Sequence, residues 1–272
     1  MDRKEGLAMA TLTRIAGDSP AINLGLSCLG LAGFFLAWHL LSVSGVFPPN
    51  YLPGPLAVLR TIVQFSAEPY SGATLWTHLG ASLYRFACGF LLAAAIGIPL
   101  GLLMGWYRWL DDVVSPFFDA LRFVAPIAWV PFAGLWFGTG IGGPTLIIFA
   151  GAFPPCLISA YRGAKFVDTR LLEASRTLGA SGPRIVAEVL LPASLPSILA
   201  GLRVSAGIGW QSLVGAELIV VGNGIGYMMV QGQLNIATNI VMAGMIAIGI
   251  VGICIDVALR TFEQRLKARW GR

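Results

Sequence analysis

Charged side chains are scarce in this sequence: they make up 11% of its 272 residues, less than half the share usual in a soluble globular domain. So little charge cannot keep a water-soluble fold of this length dispersed, which excludes a soluble enzyme or carrier. Histidine occurs only at His39 and His78, far apart in the chain. The cysteines Cys28, Cys88, Cys156 and Cys254 all fall in apolar stretches, and none has CxxC spacing. Such a set supports neither a metal site nor a disulfide framework; the cysteines read as small apolar residues of helices. No run of cations interleaved with aromatics is present, which argues against nucleic acid as a partner. The pattern GxxxxGK[ST] is missing too, so this polypeptide has no phosphate loop for ATP.

Apolar length is abundant. Hydrophobic residues make up 56% of the chain and the mean hydropathy is +0.77. A membrane-spanning helix takes about 20 apolar residues, and the segments 24–43, 82–106, 117–137, 145–161, 196–221 and 239–259 qualify. Helices satisfy their own backbone hydrogen bonds in lipid, whereas the short alternating segments of a β-barrel do not occur here. The expected fold is all-α, a polytopic membrane protein with six transmembrane helices. A tail at 1–23 precedes the membrane domain at 24–259, and a basic tail follows at 260–272. The charged leader from Asp2 to Asp18 is too long for a secretory signal, so the first apolar run reads as an uncleaved anchor.

Six spans put both termini on one side of the membrane. That side collects Arg3, Lys4, Arg14 and Arg108, then Arg162, Lys165, Arg170, Arg176 and Arg184, and finally Arg260, Arg265, Lys267, Arg269 and Arg272. The other side holds only Arg60 and Arg85, while Arg122 and Arg203 lie within spans. By the positive-inside rule the termini are cytoplasmic. On the outer side, Pro48, Pro49, Pro53 and Pro55 break helix before a short helical pattern at 56–65. Gly222, Gly224 and Gly226 follow a membrane helix, not a strand; they read as a turn re-entering the outer leaflet rather than a nucleotide fingerprint. In the second span Gly97, Gly101 and Gly105 make a smooth stripe for a close helix neighbour. Pro99 and the Pro154–Pro155 pair are expected to kink their helices.

The polar stretch 162–195, between the fourth and fifth spans, is patterned as a helix–turn–helix elbow. Asp168 is a candidate N-cap; Leu171, Leu172, Ala174, Ser175 and Leu178 form an apolar-to-small face, and Gly179 supplies a left-handed stop. Ser181 and Pro183 restart a second helix, faced by Ile185, Val189 and Leu190, which Pro192 is expected to close. The plainer reading of this pattern is an amphipathic helix lying on the membrane.

The run Glu173-Ala174-Ser175, three residues, Gly179, nine residues, Val189, one residue, Leu191-Pro192 resembles the "EAA" loop of binding-protein-dependent ABC importer permeases. That pattern reads Glu-Ala-Ala, x3, Gly, x9, Ile, x, Leu-Pro; Ser175 and Val189 depart from it. Further matches occur in the family's order: Pro53-Gly54-Pro55, Ser82-Leu83-Tyr84-Arg85, the stretch 134–138, Gly201-Leu202-Arg203, Trp210, Glu217 and the stretch 224–227. They are similar to the taurine/alkanesulfonate and nitrate/bicarbonate branch. The resemblance implies the type I ABC importer permease fold in a bacterial inner membrane, moving a small anion such as a sulfonate, nitrate or bicarbonate. It implies a second permease copy in a homodimer, two ABC ATPase subunits carrying ATP and magnesium, and a periplasmic substrate-binding protein. This chain would then hold no cofactor and no catalytic residue. Glu173, Ala174, Ser175 and Gly179 would contact the ATPase, with Leu191 and Pro192 setting the elbow.

Ionisable groups within a bilayer are expensive and are functional candidates by default. Glu217, with Trp210 and Gln211 about two turns below it, is expected to line the translocation path or brace it through hydrogen bonds. Arg203 and Arg122, near the cytoplasmic ends of the fifth and third spans, are candidates for the same path; snorkelling or pairing with a carboxylate explains them equally well. A secondary transporter would call for ion-coupling carboxylates at mid-membrane and an inverted repeat, and would leave the elbow unexplained. An intramembrane enzyme would need an arrangement such as HExxH, GxSxG or paired aspartates, none of which is present.

Overall fold

The computed structural model describes residues 20–48, 50–138, 140–218 and 221–270. The basic leader with Arg3, Lys4 and Arg14 lies outside them, as do Pro49 and Arg272. In chain order the helices are α1 (Pro20–Val43), α2 (Pro55–Ala67), α3 (Leu75–Trp106), α4 (Arg108–Leu121), α5 (Val130–Phe137), α6 (Gly142–Lys165), α7 (Thr169–Thr177), α8 (Gly182–Glu217), α9 (Ile225–Leu234) and α10 (Thr238–Trp270). Among the described residues, α1, α3, α6, α8 and α10 are long and apolar enough to cross a membrane.

The third expected span, 117–137, is not one rod. Helices α4 and α5 meet at 87°, joined by a 3-10 turn over Pro126–Trp129. The cause is local. A residue ahead of proline is driven out of the helical region, and Ala125, ahead of Pro126, sits at φ −57°, ψ 137°. The expectation of six spans therefore holds as five unbroken helices and one broken pair.

The core is built around α6, flanked by α3 and α8. Lipid supplies no hydrophobic drive between helices, so small residues and hydroxyls must bring them together. The stripe on α3 does this: a Cβ on Gly101 would lie 2.5 Å from the Leu157 carbonyl oxygen and 2.9 Å from the Ala160 Cβ. On the other flank, Ser197 Oγ donates to the Ser159 carbonyl at 2.8 Å, and Ser205 Oγ to that of Ala152 at 2.5 Å. Helix α3 runs unbroken through Pro99, as α6 does through Pro154 and Pro155.

Three boundaries differ from expectation, the first being the end of α10, which runs on to Trp270 through most of the stretch read as a basic tail. Helix α3 starts at Leu75, capped by Thr74, whose Oγ accepts the Thr77 amide. More tellingly, Pro192 does not close a helix. The segment from Gly182 to Glu217 is continuous, and the turn Val186–Leu190 widens to a π-helix in which the Leu191 amide donates to the Val186 carbonyl. Pro192 has no N–H to offer one turn back, so a wider turn just before it keeps the helix going.

Candidate functional site

Two of the polar groupings lie at opposite ends of α3 and α8 and bear most directly on function. The first is α7. Asp168 stops the chain after α6 and caps α7, its carboxylate accepting the Arg170 amide at 2.9 Å. At the other end Gly179 takes φ +78°, the Gly179 amide donates to the Arg176 carbonyl at 2.9 Å, and the Ala180 amide to that of Ser175 at 3.0 Å. This pair of bonds is a Schellman closure. No residue of α7 is buried: Leu171 is 51% exposed, and Leu178, just past its end, 87%. Glu173 and Ala174 are exposed as well, while the Ser175 hydroxyl turns back to the Leu171 carbonyl. The apolar-to-small face is thus covered only in part within the chain, at the half-buried Leu172 and Ser175. Helix α7 rests on the first turns of α8, and the Arg176 guanidinium lies 5.8 Å from the centre of the Trp106 ring, at the last residue of α3. The elbow bends at 178–181, where Ser181 takes the N-cap position without a side-chain bond. Leu191 and Pro192 carry α8 onward instead of turning it.

The second place is a buried cluster around Glu217, the last residue of α8 and 2% exposed. Its carboxylate accepts from Ser82 Oγ at 2.7 and 2.8 Å, from Arg85 Nη1 at 2.9 Å, and from the Gly226 amide at 3.0 Å. Ser82 Oγ in turn accepts the Ile225 amide at 3.0 Å, and His78 Nδ1 accepts the Gly224 amide at 3.0 Å. With Nδ1 accepting, the ring proton of His78 sits on Nε2, which donates to the Tyr70 carbonyl at 3.1 Å. Arg85 also donates to the Asn223 carbonyl at 3.1 Å and to the Asn223 side-chain oxygen. The orphan amides at the start of α9 are therefore satisfied by side chains of other helices, with an ionised carboxylate at the positive end of the helix dipole. Arg85 Nε, also buried, has no partner among the described residues.

Arg85 is the main correction to the sequence reading. Counted above among the outer-side cations, it lies inside the protein, where its side chain is 7% exposed. A signal for it existed. His78, Ser82, Arg85, Phe86 and Gly89 recur at helical spacing, and all are buried; a cation on a buried face requires a carboxylate.

The other candidates are scattered. Trp210 is core: its ring stands edge-on to Phe86 at 5.4 Å, and its Nε1 donates to the Ile248 carbonyl at 3.1 Å. Gln211, its neighbour in sequence, is exposed. Arg203 pairs with Asp256, Nη2 to Oδ2 at 3.2 Å, and Asp256 also takes Arg260. Arg122 sits at the bend after α4, paired with Asp119 at 3.1 Å and 4.9 Å from the Phe123 ring centre. It borders a cavity of about 270 Å³ between α3, α4 and α6, otherwise lined by apolar side chains such as Phe118, Phe149 and Phe153.

Comparison with known proteins fits this architecture. A putative ABC transporter permease protein of Methanocaldococcus jannaschii is 37% identical over 270 residues, which cover 97% of this chain and 96% of that one. The taurine transport system permease protein of Escherichia coli is 35% identical, with 87% and 86% covered. Among solved structures, a chain of the MetNI methionine ABC transporter in inward-facing conformations matches with a TM-score of 0.54. It is 20% identical and covers 69% of this chain and 95% of its own, which is a likeness of fold. Residues 97–268 match the family described as binding-protein-dependent transport system inner membrane component, and to that family this chain belongs.

Proposed function

We propose that this chain is the permease subunit of an ATP-driven importer and that α7 is the lever through which a separate ATPase subunit moves the membrane helices. One observation carries the reading: α7 is a short helix capped at both ends, with no buried residue, and joined by short links to the spanning helices α6 and α8. A loop in its place would absorb a push, whereas a capped helix passes it on. Exposed Glu173 and Ala174 offer a small, polar surface to a partner. A secondary transporter would leave this element without a role.

In this reading the face carrying α7 is cytoplasmic, consistent with Arg162, Arg170, Arg176 and Arg184 around it. Two ATPase subunits supply ATP and magnesium, a second permease copy completes a homodimer, and a periplasmic binding protein delivers the solute. Glu217 braces the opposite end of the helices through its hydrogen bonds rather than meeting the solute. The solute is a small anion, with organosulfonates first and nitrate and bicarbonate next. The relative that transports taurine supports this order.

Co-expression with the ATPase and binding protein tests the reading. The ATPase should co-purify with the permease, and loaded binding protein should stimulate its activity. Glu173→Ala should abolish the stimulation while the permease stays folded. If Glu217→Gln leaves uptake unchanged while Glu173→Ala uncouples, the brace is wrong and the lever stands. Calorimetry of the binding protein with taurine, longer sulfonates, nitrate and bicarbonate assigns the solute.

A further inference from the structure

We propose that the Arg85–Glu217 pair is where displacement of α7 is read on the opposite face of the membrane, with His78 and Ser82 as positioning residues that clamp the segment 222–234 to it. The inference rests on the lever reading above and adds its far end. Helix α7 touches two spanning helices, α3 through Arg176 on Trp106 and α8 through its first turns. Followed away from α7, both lead to one spot. About 32 Å along α3 from Trp106 lies Arg85, at 1.5 Å per residue. Helix α8 ends at Glu217.

Between these ends α6 lies between the two helices, and its close-packed contacts leave little room for bending. Near the far end α3 and α8 meet directly, Phe86 against Trp210 and then Arg85 against Glu217. A relative shift imposed by α7 therefore arrives at a set of charge-assisted hydrogen bonds 2.7–3.0 Å long. Bonds of that length do not survive a shift of about 1 Å. The same groups hold the Gly224, Ile225 and Gly226 amides. Loss of the pair thus frees the start of α9, and its restoration seats α9 again. Packed elements of this kind switch between two arrangements rather than deforming smoothly.

The test uses the full complex in lipid nanodiscs, with Cys28, Cys88 and Cys254 replaced by serine, the buried Cys156 kept, and a single reporter, Ile225→Cys. Position 225, the first of α9, is 1% exposed while the pair is made, so a thiol there is shielded until α9 is released. Its rate of reaction with a membrane-impermeant maleimide should differ about tenfold between the nucleotide-free and ATP-trapped complexes, the size expected when a buried charged bond opens. Glu217→Gln and Arg85→Gln should make labelling fast in both states. Arg85→Lys should restore part of the difference, which a merely structural role would not do. If Glu217→Gln does not assemble, Ser82→Ala should reduce the difference without abolishing it. Equal rates in both states of the parent complex, or a difference that persists in Arg85→Gln, overturn the proposal. Failure of the ATPase to bind the parent permease would instead overturn the importer reading.

Discussion

Arg85 on α3 and Glu217 at the end of α8 are 132 positions apart in the chain, yet their charged groups meet at 2.9 Å with almost no exposure. A buried charge left without its partner cannot recover its hydration. Arg85→Ala or Glu217→Ala alone should therefore cost about 3–5 kcal/mol of stability. The double replacement Arg85→Met with Glu217→Leu should lose much less, because both charges leave together. Unfolding in mixed micelles reads this directly. If the double variant is as unstable as the sum of the single ones, the pair is not a coupled unit.

Close approach of α3 to α6 gives a second expectation. A Cβ at Gly101 would fall 2.5 Å from backbone oxygen, which has no rotamer to escape into. Gly101→Ala should force the helices apart and destabilise by roughly 1–3 kcal/mol, the range for overpacking. Gly134→Ala in α5 is the contrast. Nothing lies within 4 Å of that position, and exchanging glycine for alanine in a helix stabilises by up to about 1 kcal/mol. Equal effects in a thermal-shift assay would refute the packing assignment.

Sequence alone showed most clearly what is decided locally. Asp168 and Gly179 frame α7 as expected because caps and left-handed stops are chemistry of a few neighbouring residues. The Gly97–Gly105 stripe was legible for the same reason, although its partner, α6, was not. Misreadings arose where a local signal had a non-local answer. Pro126 breaks the third span inside an apolar run that gives no other sign of a bend, while Pro192, equally conspicuous, is absorbed by a π turn. Arg85 was misplaced because its carboxylate comes from a distant helix. Only the periodicity of His78, Ser82 and Arg85 pointed inward.

The Schellman closure of α7 makes Gly179 a sharp test of the lever. At φ +78° any residue with a Cβ is strained, by about 1–2 kcal/mol. Gly179→Ala should fray the last turn of α7, leaving the membrane helices intact. Hydrogen exchange should then quicken at 175–180 and nowhere in α3 or α6. Gly182→Ala, with open space around it and no positive φ, should change neither exchange nor transport.

Arg176 over Trp106 is the contact between α7 and α3, and its expected effect is on coupling more than on stability. Trp106 is half-buried and Arg176 exposed, and such a cation–ring contact is worth about 0.5–1 kcal/mol, too little to unfold a membrane protein. It is enough to shift how firmly a short, largely exposed helix is held. Arg176→Ala should leave co-purification with the ATPase intact while lowering its stimulation by loaded binding protein several-fold, roughly what that energy allows. Trp106→Leu should do the same, and the double variant should be no worse than either, because both remove one interaction. Trp106→Phe keeps a ring face and should retain most of the stimulation. Additive losses, or a Trp106→Phe variant as impaired as Trp106→Leu, would mean that Arg176 acts on the ATPase surface directly rather than by holding α7 to α3.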